Sequence, residues 1–128
     1  MVTKPNSRQV GGDHYNGTDY QHWDFANEIK MLYLPGVASK YVARWRDKGG
    51  VEDLEKCVHY LEKCEEVSVN PLPAVNRHTA FWRFMIGNDV NLHDAAIIWF
   101  IMEGQWEEAR QATLMLIASQ DREPLEAS

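Results

Sequence analysis

Residues 36–63, GVASKYVARWRDKGGVEDLEKCVHYLEK, decide the fold. At about 100° per residue, Val37, Ala38, Tyr41, Val42 and Trp45 share one arc of a helix. Leu54, Cys57, Val58, Leu61 and Cys64 share one arc of the next. Between them Gly49-Gly50 can take left-handed backbone angles at little cost, which closes the first helix and opens the second. Two amphipathic helices joined by a tight turn have to bury their apolar arcs against one another and against further helices.

Working outward, the same period predicts helices over about 23–32, 37–48, 51–66, 78–86, 92–103 and 105–118. YLPG (33–36) reads as a turn and VNPLP (69–73) as a Pro-bearing connector. Asn91 is a good N-cap for the fifth helix. No strand alternation or hairpin signal competes. The expected fold is all-α, a small bundle of five to six helices with a loop-like N-terminal arm. The expected organisation is a helical region with that arm over 1–66 and a linker over 67–77. A packing or oligomerisation element follows over 78–118, and a polar, flexible tail over 119–128.

The chain has 128 residues and a formal net charge of −6, with 45% hydrophobic and 25% charged residues, the balance of one soluble globular domain. That acidity excludes general duplex nucleic-acid binding, which needs a broad basic face. AAIIWFIM (95–102) is too short to cross a bilayer, so no membrane partner is expected. MVTKPNSRQVGG carries no apolar run, and the expected location is cytoplasmic. Cys57 and Cys64 lie about 10 Å apart along one helix, beyond disulfide reach, and both fall on its apolar arc as reduced core thiols. Ile97, Ile98, Trp99, Phe100 and Ile101 make the fifth helix apolar nearly all round. In so small a protein this predicts burial against a partner subunit, hence a homo-oligomer.

Charge is unevenly placed. Lys40, Arg44 and Lys48 form an i, i+4, i+8 stripe along one border of the core arc, with Arg46 on the other border. Like charges at that spacing repel by a few tenths of a kcal/mol per pair, roughly, and a bound phosphate would relieve the repulsion. Glu52 and Asp53 open the next helix, where acids favourably meet the helix dipole, and Glu52–Lys56 is a well-oriented i, i+4 pair. The arm supplies His14, Tyr15, His22, Trp23 and Asp24, in no recognised zinc spacing. GxxxxGK[ST], GxGxxG, GxSxG and HExxH are all missing, so a P-loop cradle is excluded.

Taken together, HY at 14–15, WDF at 23–25, KY at 40–41, Arg44, KGG at 48–50, EDL at 52–54, Lys56 and YL at 60–61 resemble a small phage family. It is known as DUF3310, the SaV-like or T7-type nucleotide kinases. The resemblance covers residues 13–63 and departs from the family at Val37, where an Asn is usual. It implies a phage protein acting in the host cytoplasm on nucleotides: a (deoxy)nucleoside monophosphate kinase without a P-loop.

Phosphoryl transfer needs two phosphates held in line with their charge neutralised, usually with Mg²⁺. On that footing Lys40, Arg44 and Lys48 would cradle phosphates, with Tyr41 beside them in the nucleotide-binding set. Asp53, with Glu52, would hold Mg²⁺. Tyr15 or Trp23 would stack on the base, and His14 or Asp24 would orient the acceptor. Two other readings stay open: a non-catalytic nucleotide-binding or sequestering protein that counters host defence, and a MazG-like pyrophosphatase. For the latter the chain offers ExxE at 52–55 but no matching ExxD. A purely structural or adaptor role would leave the cationic stripe unexplained.

Overall fold

The computed structural model describes Asn6, residues 19–70 and residues 74–127, with side chains through Gln120. Six helices follow in order: α1 (His22–Glu28), α2 (Tyr33–Arg44), α3 (Val51–Glu66), α4 (Arg77–Gly87), α5 (Leu92–Met102) and α6 (Trp106–Ala127). The described residues contain no strand, and the fold is an all-α bundle. Helices α2, α3, α6 and α5 pack in that cyclic order, each against the next, while α1 and α4 pair at one side and α1 also touches α2.

Several boundaries differ from the sequence reading, each for a physical reason. YLPG is the first turn of α2 rather than a turn before it. Pro35 lacks an N–H, but the first turn has no intrahelical acceptors for its N–H groups, so proline is tolerated there. At the other end α6 runs to Ala127, past the expected stop at 118. Polar residues such as Ser119 and Gln120 lack a face to bury, yet each still adds a backbone hydrogen bond to a helix already nucleated. The 71–73 part of the linker lies outside the described residues.

The core arcs are shifted slightly from those predicted. On α2, Ala38, Ser39, Val42 and Trp45 are buried, with Tyr41 and Val37 at the margin. On α3 it is Asp53, Leu54, Cys57, Leu61 and Cys64. Cys57 and Cys64 are free thiols in the core, as expected, and burial pushes Cys64 up to about 11. Ile97, Ile98 and Ile101 of α5 are also fully buried, but within the chain, where α2 and α6 flank them. The isoleucines of α5 are thus satisfied inside one subunit, while Trp99 and Phe100 of the same helix are half-buried. Residues 78–118 share one core with 19–66.

Helix α1 is held to the bundle through His22. Its Nε2 lies 2.7 Å from Ser39 Oγ, which in turn lies 3.0 Å from the Gly36 carbonyl. With the serine hydroxyl donating to Gly36, the imidazole donates to Ser39. The ring also meets Phe25 and Phe84 edge-on, and those two rings stack at 5.1 Å. Burial, aided by the nearby Lys40 charge, lowers the His22 pKa from its ordinary 6.5 to about 4.

The folded state therefore favours neutral His22, whereas the unfolded chain takes up a proton at higher pH. The stability this gives is present above about pH 6.5 and is lost as pH falls towards 4. Substituting His22→Gln, which keeps a donor but cannot titrate in this range, should flatten the fall in urea-unfolding free energy between those pH values by on the order of 2 kcal/mol. Parallel curves for the two proteins would show that His22 is not the buried neutral group described.

Candidate functional site

Arg44 of the cationic stripe and Asp53 of the acids meet at the α2–α3 turn. Backbone bonds carry the chain round it: Lys48 N–H donates to the Arg44 carbonyl at 3.0 Å and Gly50 N–H to that of Trp45 at 2.8 Å. Gly50 then takes φ +61°, ψ −151°, a conformation open to glycine, and caps α3. This geometry sets Asp53 in the first turn of α3, directly below the end of α2.

Arg44 grips Asp53 side-on. Its Nε donates to Oδ2 at 2.9 Å and its Nη2 to Oδ1 at 3.3 Å. The Asp53 carboxylate is only 1% exposed and Arg44 is 18% exposed, so the pair is largely withdrawn from water. The guanidinium also lies 4.9 Å from the Tyr41 ring. Gly49 completes the fit: a Cβ there would lie 2.1 Å from Asp53 Cγ, an impossible approach. The second glycine of the pair serves the backbone, while the first makes room for a carboxylate.

A parallel lock sits two residues on. Arg46 Nε and Nη2 donate to the carboxylate of Asp94 at 2.8 and 3.1 Å. The buried Trp45 indole N–H lies 3.2 Å from both of its oxygens. Asp94 belongs to the first turn of α5 and is itself buried. Sequence reasoning missed it, because residues 46 and 94 meet only through the bundle.

The remaining candidates divide. Lys40 and Lys48 are exposed, as a phosphate-binding role requires. Glu52 is exposed too, and loosely paired with Lys56 at 3.7 Å; such a surface pair contributes little. Trp23 and Asp24 are engaged elsewhere: Asn6 accepts from the Trp23 indole at 2.6 Å and donates to Asp24 at 2.6 Å. Asp24 also accepts from the Gln21 backbone at 2.9 Å, capping α1. His14 and Tyr15 lie outside the described residues.

Among the described residues no group of three or more His, Cys, Asp or Glu side chains is arranged to hold a metal ion. The cavity bounded by Ile29, Met31, Pro35, Arg77, Ile101 and Met102 has room for about one water and is lined by none of the candidate residues. Among the described residues, the candidates that remain accessible and are not engaged elsewhere lie on one face of α2 and α3. On it, Tyr41 and Lys56 are joined by Tyr60 and Tyr33, two residues that sequence reasoning gave no role. Their nearness depends on how the two helices face each other, which no single helical wheel contains. Comparison with known proteins gives no matching family model, no similar curated protein and no similar solved structure.

Gly49→Ala should cost at least about 2 kcal/mol of folding stability, because the added methyl must displace a buried, paired carboxylate. In an Asp53→Ala background the same glycine substitution should cost much less, leaving a coupling of more than about 1 kcal/mol in a denaturant double-mutant cycle. Strictly additive effects would disprove the contact.

Proposed function

We propose that the protein binds the phosphates of a nucleotide on the exposed α2–α3 face, and that its activity is phosphoryl transfer to a (deoxy)nucleoside monophosphate. What carries the binding reading is the clustering of Arg44 and Lys56 with three tyrosines on one face, next to a turn that leaves Lys48 exposed, in a chain whose net charge is −6. Anions approaching an acidic protein are repelled by most of its surface, so a local cationic patch of this kind selects where they settle. The kinase activity comes from the resemblance of the KY..R...KGG.EDL.K...YL series to phage nucleotide kinases.

Residue roles follow from accessibility. Lys40 and Lys48 are mobile point charges for terminal phosphate oxygens. Arg44, held by Asp53 and laid against Tyr41, is a fixed cation beside them. Asp53 does not fit the role of a direct Mg²⁺ ligand, since its two oxygens already accept from Arg44 in a buried setting. Glu52 is the accessible carboxylate, and a Mg²⁺ ion arriving with the nucleotide could use it through water. Asp53 then acts as a positioning residue that fixes the guanidinium.

The engagement of Asp53 favours a second reading, in which the same face binds and sequesters a nucleotide without turning it over. Both readings keep the cations, but only the kinase requires that two phosphates be brought into line. A panel of deoxynucleoside monophosphates with a nucleoside triphosphate and Mg²⁺ separates them: formation of diphosphates supports the kinase, and binding without turnover supports sequestration.

In either case Lys48→Glu, at an exposed position that the fold does not use, should weaken nucleotide affinity roughly tenfold at low salt. The defect should shrink as ionic strength rises. Calorimetric titration checks it, and an unchanged affinity would remove Lys48 from the site.

A further inference from the structure

The face that would receive phosphates continues into an aromatic run. Tyr41, in the last turn of α2, has Arg44 at 4.9 Å and the Lys56 ammonium at 5.5 Å from its ring centroid. The Tyr60 ring of α3 lies 6.0 Å from Tyr41, tilted by 48°. Tyr33, at the start of α2, lies 6.4 Å from Tyr60, tilted by 57°. The order along the face is Tyr33, Tyr60, Tyr41, then the cations. Tyr41 and Tyr60 are half-buried, and their packing needs no further explanation. Tyr33 is 72% exposed, so its ring is open to a ligand.

The hydroxyls are arranged as well. Hydrogen bonding with the neighbouring Tyr33 phenol raises the Tyr60 pKa. The Tyr60 phenol thus stays neutral at physiological pH and keeps its donor. An exposed ring fixed by a neighbour offers a flat surface at low entropic cost. A cation flanking the far end of the row gives the face a direction. Inorganic phosphate would use only its charged end, and an apolar ligand only its aromatic end.

We propose that Tyr33 and Tyr60, with Tyr41 between them and the cations, form a nucleobase platform, so that a nucleoside phosphate lies with its base on Tyr33 and its phosphate towards Lys56 and Arg44. This rests on the nucleotide reading above and adds which residues take the base. It moves base stacking from Trp23 and Tyr15 to the α2–α3 face. Because stacking accepts any base, the platform serves nucleoside monophosphates as a class rather than one of them.

Calorimetry with deoxyadenosine monophosphate, thymidine monophosphate and inorganic pyrophosphate tests it. Tyr33→Ala, at an exposed position, should weaken both nucleotides on the order of tenfold or more and leave pyrophosphate unchanged. Tyr33→Phe, which keeps the ring and loses the hydrogen bond, should retain most of the affinity. Lys56→Gln should weaken all three ligands. Nucleotide binding that survives Tyr33→Ala unchanged overturns the platform while leaving the phosphate face standing. Equal loss for nucleotides and pyrophosphate also overturns it, and failure of the wild-type protein to bind either nucleotide overturns both readings.

Discussion

Two arginine–aspartate pairs at the end of α2 hold this bundle in register. Arg44 reaches Asp53 in the first turn of α3, and Arg46 reaches Asp94 in the first turn of α5. Each cation sits where the carbonyl end of α2 gathers partial negative charge, and each carboxylate sits where the amide end of a helix gathers positive charge. The four charges therefore complement three helix dipoles as well as one another. Because α3 and α5 flank α2 in the cycle of α2, α3, α6 and α5, one short segment fixes the positions of both. Removing water from such pairs is costly, and side-on, bidentate geometry is what makes them tolerable. Gly49 belongs to this arrangement, since any side chain there would occupy the space of the Asp53 carboxylate.

Much of that frame could be read from the residues. The glycine pair, the two apolar arcs and the Asn91 cap place α2, α3 and α5 within a few positions of where they lie, and the all-α class follows. What escaped was polar burial. A helical wheel scores Ser39 and Asp53 as solvent-facing because it knows nothing of their partners, yet Ser39 is needed by His22 and Asp53 by Arg44. Tyr33 and Pro35 looked like a turn because proline usually breaks helices, and only the missing intrahelical acceptors of a first turn make it welcome. The uniform apolarity of α5 admitted two explanations; its isoleucines are buried within the chain, between α2 and α6, while Trp99 and Phe100 stay half-buried.

The candidate site was legible only in part, for a related reason. A stripe along one helix can be read from spacing alone, so Lys40, Arg44 and Lys48 were found. Contacts between helices depend on their relative rotation, so the row of Tyr33, Tyr60 and Tyr41 was invisible until α2 and α3 stood side by side. Trp23 and Asp24 were promising because an aromatic and an acid at the end of a polar arm resemble a ligand clamp. In the fold their polar atoms serve Asn6 and the cap of α1.

The engagement of Arg44 bears on what kind of chemistry this face can support. A guanidinium neutralised by a buried carboxylate presents little net charge, so the attraction felt by an incoming anion falls mainly to Lys40, Lys48 and Lys56. Those are long, solvated side chains, well suited to capturing a phosphate and poorly suited to holding it within a fraction of an ångström. In-line transfer demands such precision, because misplacement by about 1 Å can cost on the order of a hundredfold in rate. The arginine is held in position by Asp53 on one side and the Tyr41 ring on the other. If transfer occurs here, Arg44 is therefore the group that must define its geometry, with the lysines supplying field rather than alignment. A face that only sequesters nucleotides has no such need, and could lose the order of that pair so long as the bundle held.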